Sequence, residues 1–124
     1  MIGYVTLGTN DLPRAAAFYD PLLTELGAKR VLENDHSIGW GKGLDEPVLG
    51  IFVPNDGKPA TVGNGVMVAL AMDSPEKVDA LHAKALELGG TDEGAPGPRS
   101  EQFYAGYFRD LDGNKLNAFC MTGA

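Results

Sequence analysis

The chain has 124 residues, 44% of them hydrophobic, and its 10 basic and 17 acidic residues give a net charge of −7. This acidity argues against nucleic-acid and anionic-membrane partners, which require basic surfaces, and is compatible with a cationic ligand. The length is typical of one domain, and the single cysteine, Cys120, excludes an internal disulfide. No apolar run reaches the roughly 18 residues of a membrane helix, and no signal-peptide pattern opens the sequence, so we expect a cytoplasmic protein.

The first half of the chain predicts the element order β-α-β-β-β. A strand-like run, "MIGYVTLGT", precedes residues 11–27, "DLPRAAAFYDPLLTELG", which have the apolar spacing of a helix. Asp11 suits the N-cap, Pro13 the first turn and Gly27 the C-terminal exit. Pro21 is unfavourable inside a helix and is expected to kink it. The strand-like runs "KRVLEN", "SIGWGKG" and "PVLGIFV" follow.

The second half repeats this order. Residues 73–89, "DSPEKVDALHAKALELG", align without a gap with the first helix at an offset of 73 − 11 = 62 residues. Asp73 and Glu76 predict a capping box at the start of this second helix. The run "GVMVALAM" precedes the helix, and a short run over 91–93, "QFYAGYFRD" and "NKLNAFC" follow it. The duplication predicts an α+β fold of two βαβββ modules.

Gly- and Pro-rich stretches separate these elements. The stretch "PNDGKPATVGNG" joins the halves, so we expect one domain with a first module at about 1–53, a linker at 54–64 and a second module at about 65–124. Residues 94–104, "GAPGPRSEQFY", predict a loop. "LDGN" at 111–114 predicts a type I′ hairpin turn.

Alternation along the strands gives each one an aliphatic face and a mixed face. The aliphatic faces suit packing against helices. The mixed faces carry small, aromatic and amide side chains: Tyr4, Thr6 and Gly8 on the first strand, Met67, Ala69 and Ala71 on the fifth, and Lys115, Asn117 and Phe119 on the last. A curved sheet with such a face would form an apolar pocket with a few polar groups.

The stretches "YVTLGTNDLPRAAAFYDPLLTELGAKRV", "GVMVALAM" and "YFRDLDGNKLNAFC", together with the repeat, resemble the glyoxalase/bleomycin resistance protein/dioxygenase superfamily, also called vicinal oxygen chelate proteins. The resemblance covers essentially the whole chain. It implies a cupped mixed β-sheet with helices on its outer face, a ligand cavity on the concave side and a homodimer.

Metal enzymes of that family bind a divalent ion through residues whose positions correspond here to Tyr4, Met67 and Asn117. All three depart from the family's His and Glu ligands. A phenol is protonated at neutral pH, a thioether suits copper(I), and an amide carries no charge. We therefore predict a ligand pocket without a metal or any other cofactor. Asn117 would either bond an organic ligand or pair with a neighbouring protein group.

Aromatic residues supply further ligand-binding candidates. Trp40 lies between glycines and would wall the pocket or pack in the core. Tyr104 and Tyr107 lie on the strand before the Asp-Gly turn. Each is adjacent to a phenylalanine, Phe103 or Phe108, and adjacent strand residues point to opposite faces, so the four rings cannot all share one face. One of the two hydroxyls is expected to reach the cavity.

Charged and titratable candidates are few. Arg99, in the predicted loop, would clamp a ligand carboxylate or phosphate or remain a surface arginine. His36, at a turn, is a candidate general acid or base together with Tyr4, and the alternative is a solvated turn histidine. His82 beside the second helix's apolar stripe is expected to pack.

The sequence thus predicts a protein that binds a small organic molecule in the sheet cavity without a metal. The alternative is a lyase or isomerase resembling lactoylglutathione lyase, with a non-standard metal site or none. Such an enzyme needs an electrophile to stabilise an enolate, which Tyr4, Asn117 and Arg99 would supply. A third possibility is an interaction protein whose cavity is filled.

Overall fold

The computed structural model describes residues 1–122 of the chain. Its elements are, in order, β1 (Tyr4–Gly8), α1 (Leu12–Thr24), β2 (Lys29–Asn34), β3 (Ser37–Gly41), β4 (Val48–Phe52), β5 (Val68–Ala71), α2 (Pro75–Glu87), β6 (Thr91–Ser100), β7 (Phe103–Arg109) and β8 (Lys115–Met121). The predicted α+β fold of two βαβββ modules is confirmed. The chain divides into two compact units, Met1–Val62 and Gly63–Ala124. Neither of the described helices is long and apolar enough to span a membrane.

The first unit contains a four-stranded mixed sheet covered on one face by α1. The strand order is β1-β4-β3-β2, with β1 parallel to β4 and the other pairs antiparallel. The buried stripe of α1, including Phe18 and Leu22, lies against alternate strand residues such as Ile38 and Ile51. We call the covered side of each sheet the helix face and the opposite side the far face.

The second unit repeats this arrangement with strand order β5-β8-β7-β6. Strand β5 is parallel to β8, and the other pairs are antiparallel. The residues Val78, Leu81, Phe108, Leu116 and Ala118 are fully buried between α2 and the sheet. Alternation therefore puts their strand neighbours, including Asn117, on the far face.

Local signals set the ends of α1 as the sequence predicts. The Asp11 carboxylate accepts a hydrogen bond from the Arg14 backbone N–H at 3.1 Å, and Pro13 lies in the first turn. Gly27 has a φ of +75°, which a residue with a Cβ rarely adopts. The helix continues through Pro21 to Thr24.

The predicted capping box of α2 is wrong. Ser74, not Asp73, is the N-cap, and its hydroxyl accepts a hydrogen bond from the Lys77 N–H at 3.3 Å. Asp73 instead forms an exposed ion pair with the Lys77 side chain at 3.0 Å. The shift by one residue puts Pro75 at the first helical position, where its missing N–H costs nothing.

Two strands differ in length from the prediction. Strand β5 spans only Val68–Ala71, so Met67 lies just before it. The predicted loop over 94–104 is wrong for its first part, because β6 extends through Ser100. Three register irregularities along β6 accommodate its glycines and prolines, and an edge strand tolerates proline because one side of it has no partner strand.

The Asp-Gly turn is also not type I′. That turn requires a positive φ at both central residues, and among the described residues only glycines, here Gly113 at +89°, have one. The buried Asp110 carboxylate organises the turn, accepting hydrogen bonds from the N–H groups of Asp112 and Asn114, each at 2.9 Å. A side chain outside the Asp-Gly pair therefore decides the turn.

We expect Ser74→Ala to lower the free energy of unfolding by about 1 kcal/mol, because it leaves an N-terminal N–H of α2 without its acceptor. The matched control is Asp73→Ala, which removes an exposed i,i+4 ion pair worth about 0.3–0.5 kcal/mol. Urea denaturation followed by circular dichroism measures both. A larger loss for Asp73→Ala would place the cap at Asp73 instead.

Candidate functional site

Asn117 lies at the centre of the far face of the second unit. It pairs in register with Ala69 on β5 and with Tyr107 on β7. Its side chain is almost fully buried, with 1% of the residue exposed, and its Oδ1 atom has no hydrogen-bond partner. A buried acceptor without a partner costs about 1–3 kcal/mol, so this amide is placed at a cost to stability.

The strand neighbours of Asn117 offer little to satisfy it. Ala69 has no polar side chain, and the next pair along, Ala71 with Phe119, is apolar. Ala105 pairs with Phe119 from the other side, and the Phe103 and Phe119 rings stack at 5.7 Å. The residues around Asn117 are therefore small or aromatic, and the exposed Ala69 leaves room for an apolar ligand body.

Tyr107, the neighbour of Asn117 on β7, carries two basic side chains over its ring. The guanidinium carbon of Arg99 and the Nζ atom of Lys115 each lie 5.4 Å from the ring centroid. Arg99 is further fixed by donating to the Ala95 carbonyl at 2.7 Å and the Gly97 carbonyl at 3.0 Å. Attraction of a cation to an aromatic face holds both charges at this place.

His82 supports Tyr107 from the helix face. Its buried ring lies between α2 and the sheet, with Nε2 3.1 Å from both the Asp92 carboxylate and the Tyr107 carbonyl. Both neighbours are acceptors, so Nε2 carries the proton. The expected packing role of His82 thus includes a polar tie to the strand that presents Tyr107.

Trp40 and Tyr104 lie on helix faces, away from these groups. Trp40 is 2% exposed, and its ring centroid lies 5.5 Å from that of Tyr19. Its Nε1–H donates to the Asp20 carboxylate at 2.9 Å, so Trp40 packs in the core of the first unit. Arg30, hydrogen-bonded to Asp20, lowers the pKa of that carboxyl below its usual value.

Tyr104 donates its hydroxyl to Asp79 on α2 at 2.7 Å, and this hydrogen bond raises the pKa of Tyr104. Since Tyr104 and Tyr107 are three residues apart on one strand, they lie on opposite faces of the sheet. Only Tyr107 shares the far face with Asn117.

In the first unit Tyr4 lies at the rim of a far-face cavity of about 320 Å³. The cavity is lined by Tyr4, Leu32, Glu33, Asn34, Ser37, Gly39 and Phe52. Its floor needs glycine, because a Cβ on Gly39 would lie 2.9 Å from Val48 Cγ1. His36 is exposed on the two-residue turn between β2 and β3, outside this lining.

Comparison with known proteins identifies the family. The family model of the Glyoxalase/Bleomycin resistance protein/Dioxygenase superfamily matches residues 1–118. The chain belongs to this superfamily. No match was found among curated proteins.

Solved structures of the superfamily are similar over nearly the whole chain. A glyoxalase/bleomycin resistance protein from Albidiferax ferrireducens is 39% identical with a TM-score of 0.90, covering 98% of this chain and 99% of that one. A superfamily enzyme from Burkholderia phytofirmans is 18% identical (TM-score 0.76, covering 97% and 98%), and a lactoylglutathione lyase from Agrobacterium tumefaciens is 22% identical (TM-score 0.69, covering 97% and 92%). The last two establish likeness of fold alone.

The residues at the superfamily's metal-ligand positions do not fit a divalent ion. Tyr4 belongs to the first unit, and Met67 and Asn117 belong to the second. Their phenol, thioether and amide supply no formal charge to offset a dication. Within residues 1–122 no group of three or more His, Cys, Asp or Glu side chains is placed to hold a metal.

Sequence reasoning did not identify two neighbours of Asn117 as site residues. Ala69, rather than Met67, pairs with Asn117, and Met67 is 40% exposed ahead of β5. Lys115 contacts the Tyr107 ring from two residues before Asn117. The i, i+2 spacing of Lys115 and Asn117 on β8 indicates that they share a face, so the sequence could have identified Lys115. The pairing of Ala69 with Asn117 depends on strand register, which only the structure shows.

We expect Asn117→Ala to change the free energy of unfolding by less than about 1 kcal/mol, because relief of the unpaired acceptor offsets the packing lost with a buried side chain. Asn114→Ala is the matched control, since buried Asn114 donates from Nδ2 to the Asp110 carboxylate at 2.9 Å. Losing that charge-assisted bond should cost about 2 kcal/mol. Equal losses in urea denaturation would mean that Asn117 is bonded within the protein.

Proposed function

We propose that this protein binds a small organic molecule on the far face of its second unit, without a metal. The observation that carries the proposal is the buried Oδ1 atom of Asn117, which has no partner in the protein. The cost of this unpaired acceptor is already present in the free protein, and a ligand that donates a hydrogen bond to Oδ1 would remove it. Binding is therefore more favourable by that amount.

The surroundings of Asn117 support an organic ligand with an apolar or aromatic body. The exposed Ala69 is small enough for a ring to approach the sheet, and Tyr107 offers an aromatic surface. Arg99 and Lys115 at the Tyr107 ring supply polar contacts. Met67, exposed before β5 in the same unit, is a further candidate contact, whereas Tyr4 belongs to the cavity of the first unit.

The alternative function is a lyase or isomerase of the glyoxalase type. The observation that favours it is the pair of cations at Tyr107, since basic groups near a substrate oxygen stabilise an enolate without a metal. The candidate bases predicted from the sequence, Tyr4 and His36, both belong to the first unit and stay predictions. The cytoplasmic location predicted from the sequence stays a prediction.

Protein purified without a chelator should contain no stoichiometric transition metal and should retain, or take up, an organic molecule. Elemental analysis and native mass spectrometry measure the metal content and any retained organic mass. The shift in melting temperature across a library of small acids, alcohols and amines measures uptake. Asn117→Ala should abolish retention or the shift. Tyr104→Phe, which changes only a hydroxyl on the helix face, should preserve it.

Two outcomes would contradict this proposal. One equivalent of a transition metal per chain would reinstate a metal site and the enzymatic alternative. A metal-free protein that retains no mass and is stabilised by no compound would leave the unpaired Asn117 without a ligand function.

We also propose a homodimer. Strand β1 is at the edge of its four-stranded sheet, where unpaired backbone groups can pair with another chain. Ile2, just before the strand, and Tyr4, its first residue, are 53% and 66% exposed. Light scattering after gel filtration should give twice the 13.1 kDa chain mass, and replacing Ile2 and Tyr4 together by Lys should give the single-chain mass. A wild-type protein of single-chain mass at micromolar concentration would refute the dimer.

A further inference from the structure

The basic residues of the second unit fall into two groups. Three of the five form ion pairs with carboxylates: Lys77 with Asp73, Lys84 with Glu87 and Arg109 with Glu93. The other two, Arg99 and Lys115, have no carboxylate partner among residues 1–122. In a chain with 17 acidic residues and 10 basic ones, leaving two cations unpaired is not forced by any shortage of carboxylates.

The two unpaired cations lie at the same ring. Each lies 5.4 Å from the centroid of Tyr107, so one aromatic side chain holds both charges. Like charges repel, and the cation–π attraction at an exposed site is worth only about 0.5–1 kcal/mol. An anion beside the ring would attract both charges, and no carboxylate among residues 1–122 forms an ion pair with either.

Arg99 is oriented and still has donors available. Its bonds to the carbonyls of Ala95 and Gly97 use two of the five N–H groups that a guanidinium carries. The anchored guanidinium loses less freedom on binding an anion than a free surface arginine would. Lys115 lies two residues from Asn117 on β8, so cation and buried acceptor share one face.

We propose that the ligand of this site is a small organic anion that also carries an O–H or N–H donor. Arg99 and Lys115 bind the anionic group, the donor bonds the Oδ1 atom of Asn117, and the ligand body lies against Tyr107 and the exposed Ala69. This assignment rests on the function proposed above and adds to it the charge of the ligand and the presence of a donor.

The net charge of −7 does not contradict an anionic ligand. At physiological ionic strength charges are screened over about 8 Å, so the nearest groups decide what charge a site prefers. The overall acidity slows the approach of an anion more than it weakens the bound state. The cationic ligand that composition alone suggests is therefore the less suitable one for this site.

The test is isothermal titration calorimetry at pH 7.5 with four probes of one shape: 3-hydroxybenzoate, benzoate, 3-hydroxybenzyl alcohol and 3-hydroxybenzylamine. They differ only in the charge and the donor. We expect 3-hydroxybenzoate to bind at least about tenfold more tightly than the other three. Its affinity should fall about tenfold or more in Arg99→Gln/Lys115→Gln, and its advantage over benzoate should vanish in Asn117→Ala.

The matched control is Lys42→Gln/Lys58→Gln, which removes the same charge from exposed positions of the first unit and should leave the affinity unchanged. Equal or tighter binding of the alcohol or the amine, if lost in Asn117→Ala, would overturn the anionic ligand while the proposed function stands. The absence of binding by all four probes would overturn the anionic ligand, whereas the metal content, retained mass and library shifts decide the proposed function separately. An unchanged affinity of Arg99→Gln/Lys115→Gln for 3-hydroxybenzoate would also overturn it.

Discussion

Each four-stranded sheet is covered on one side by a single helix, and the two-residue period of the strands divides every other feature between its two faces. The covering stripes of α1 and α2 bury the aliphatic strand residues and leave the alternate residues for other purposes. Because successive strand residues point to opposite faces, a shift of one residue decides whether a side chain packs in the core or faces away from the helix. Tyr104 and Tyr107 illustrate this, because they are three residues apart and so lie on opposite faces. Tyr104 bonds Asp79 of α2, whereas Tyr107 contacts Arg99 on the far face.

The far faces of the two units differ although the modules repeat. In the first unit glycines such as Gly39 and Gly50 let larger side chains lie across the sheet. In the second unit the corresponding surface carries a buried amide, an aromatic ring and two cations. The repeated helix faces keep the fold, whereas the far faces are free to diverge in chemistry because they do not pack against the helix.

Asn117 is the point at which stability and function are in opposition. An apolar residue there would satisfy the local packing, and the amide instead leaves an acceptor unpaired at 1% exposure. Domains of this size are stable by only about 5–15 kcal/mol, so even 1–3 kcal/mol is a sizeable share. A ligand that bonds Asn117 would offset that cost. The proposed site is therefore at Asn117 rather than at the exposed Tyr4 or His36.

The sequence by itself determined the family, the two modules and both helices, because apolar periodicity, the Asp11 cap and the 62-residue offset are local or repeated signals. It also named Asn117, Tyr107 and Arg99 as candidates. Only the tertiary structure decided that Tyr104 and Trp40 face helices, that Ala69 rather than Met67 adjoins Asn117, and that β6 includes Arg99. The reason is that strand register, bulges and side-chain pairing across strands depend on partners distant in the chain, whose positions no local pattern specifies.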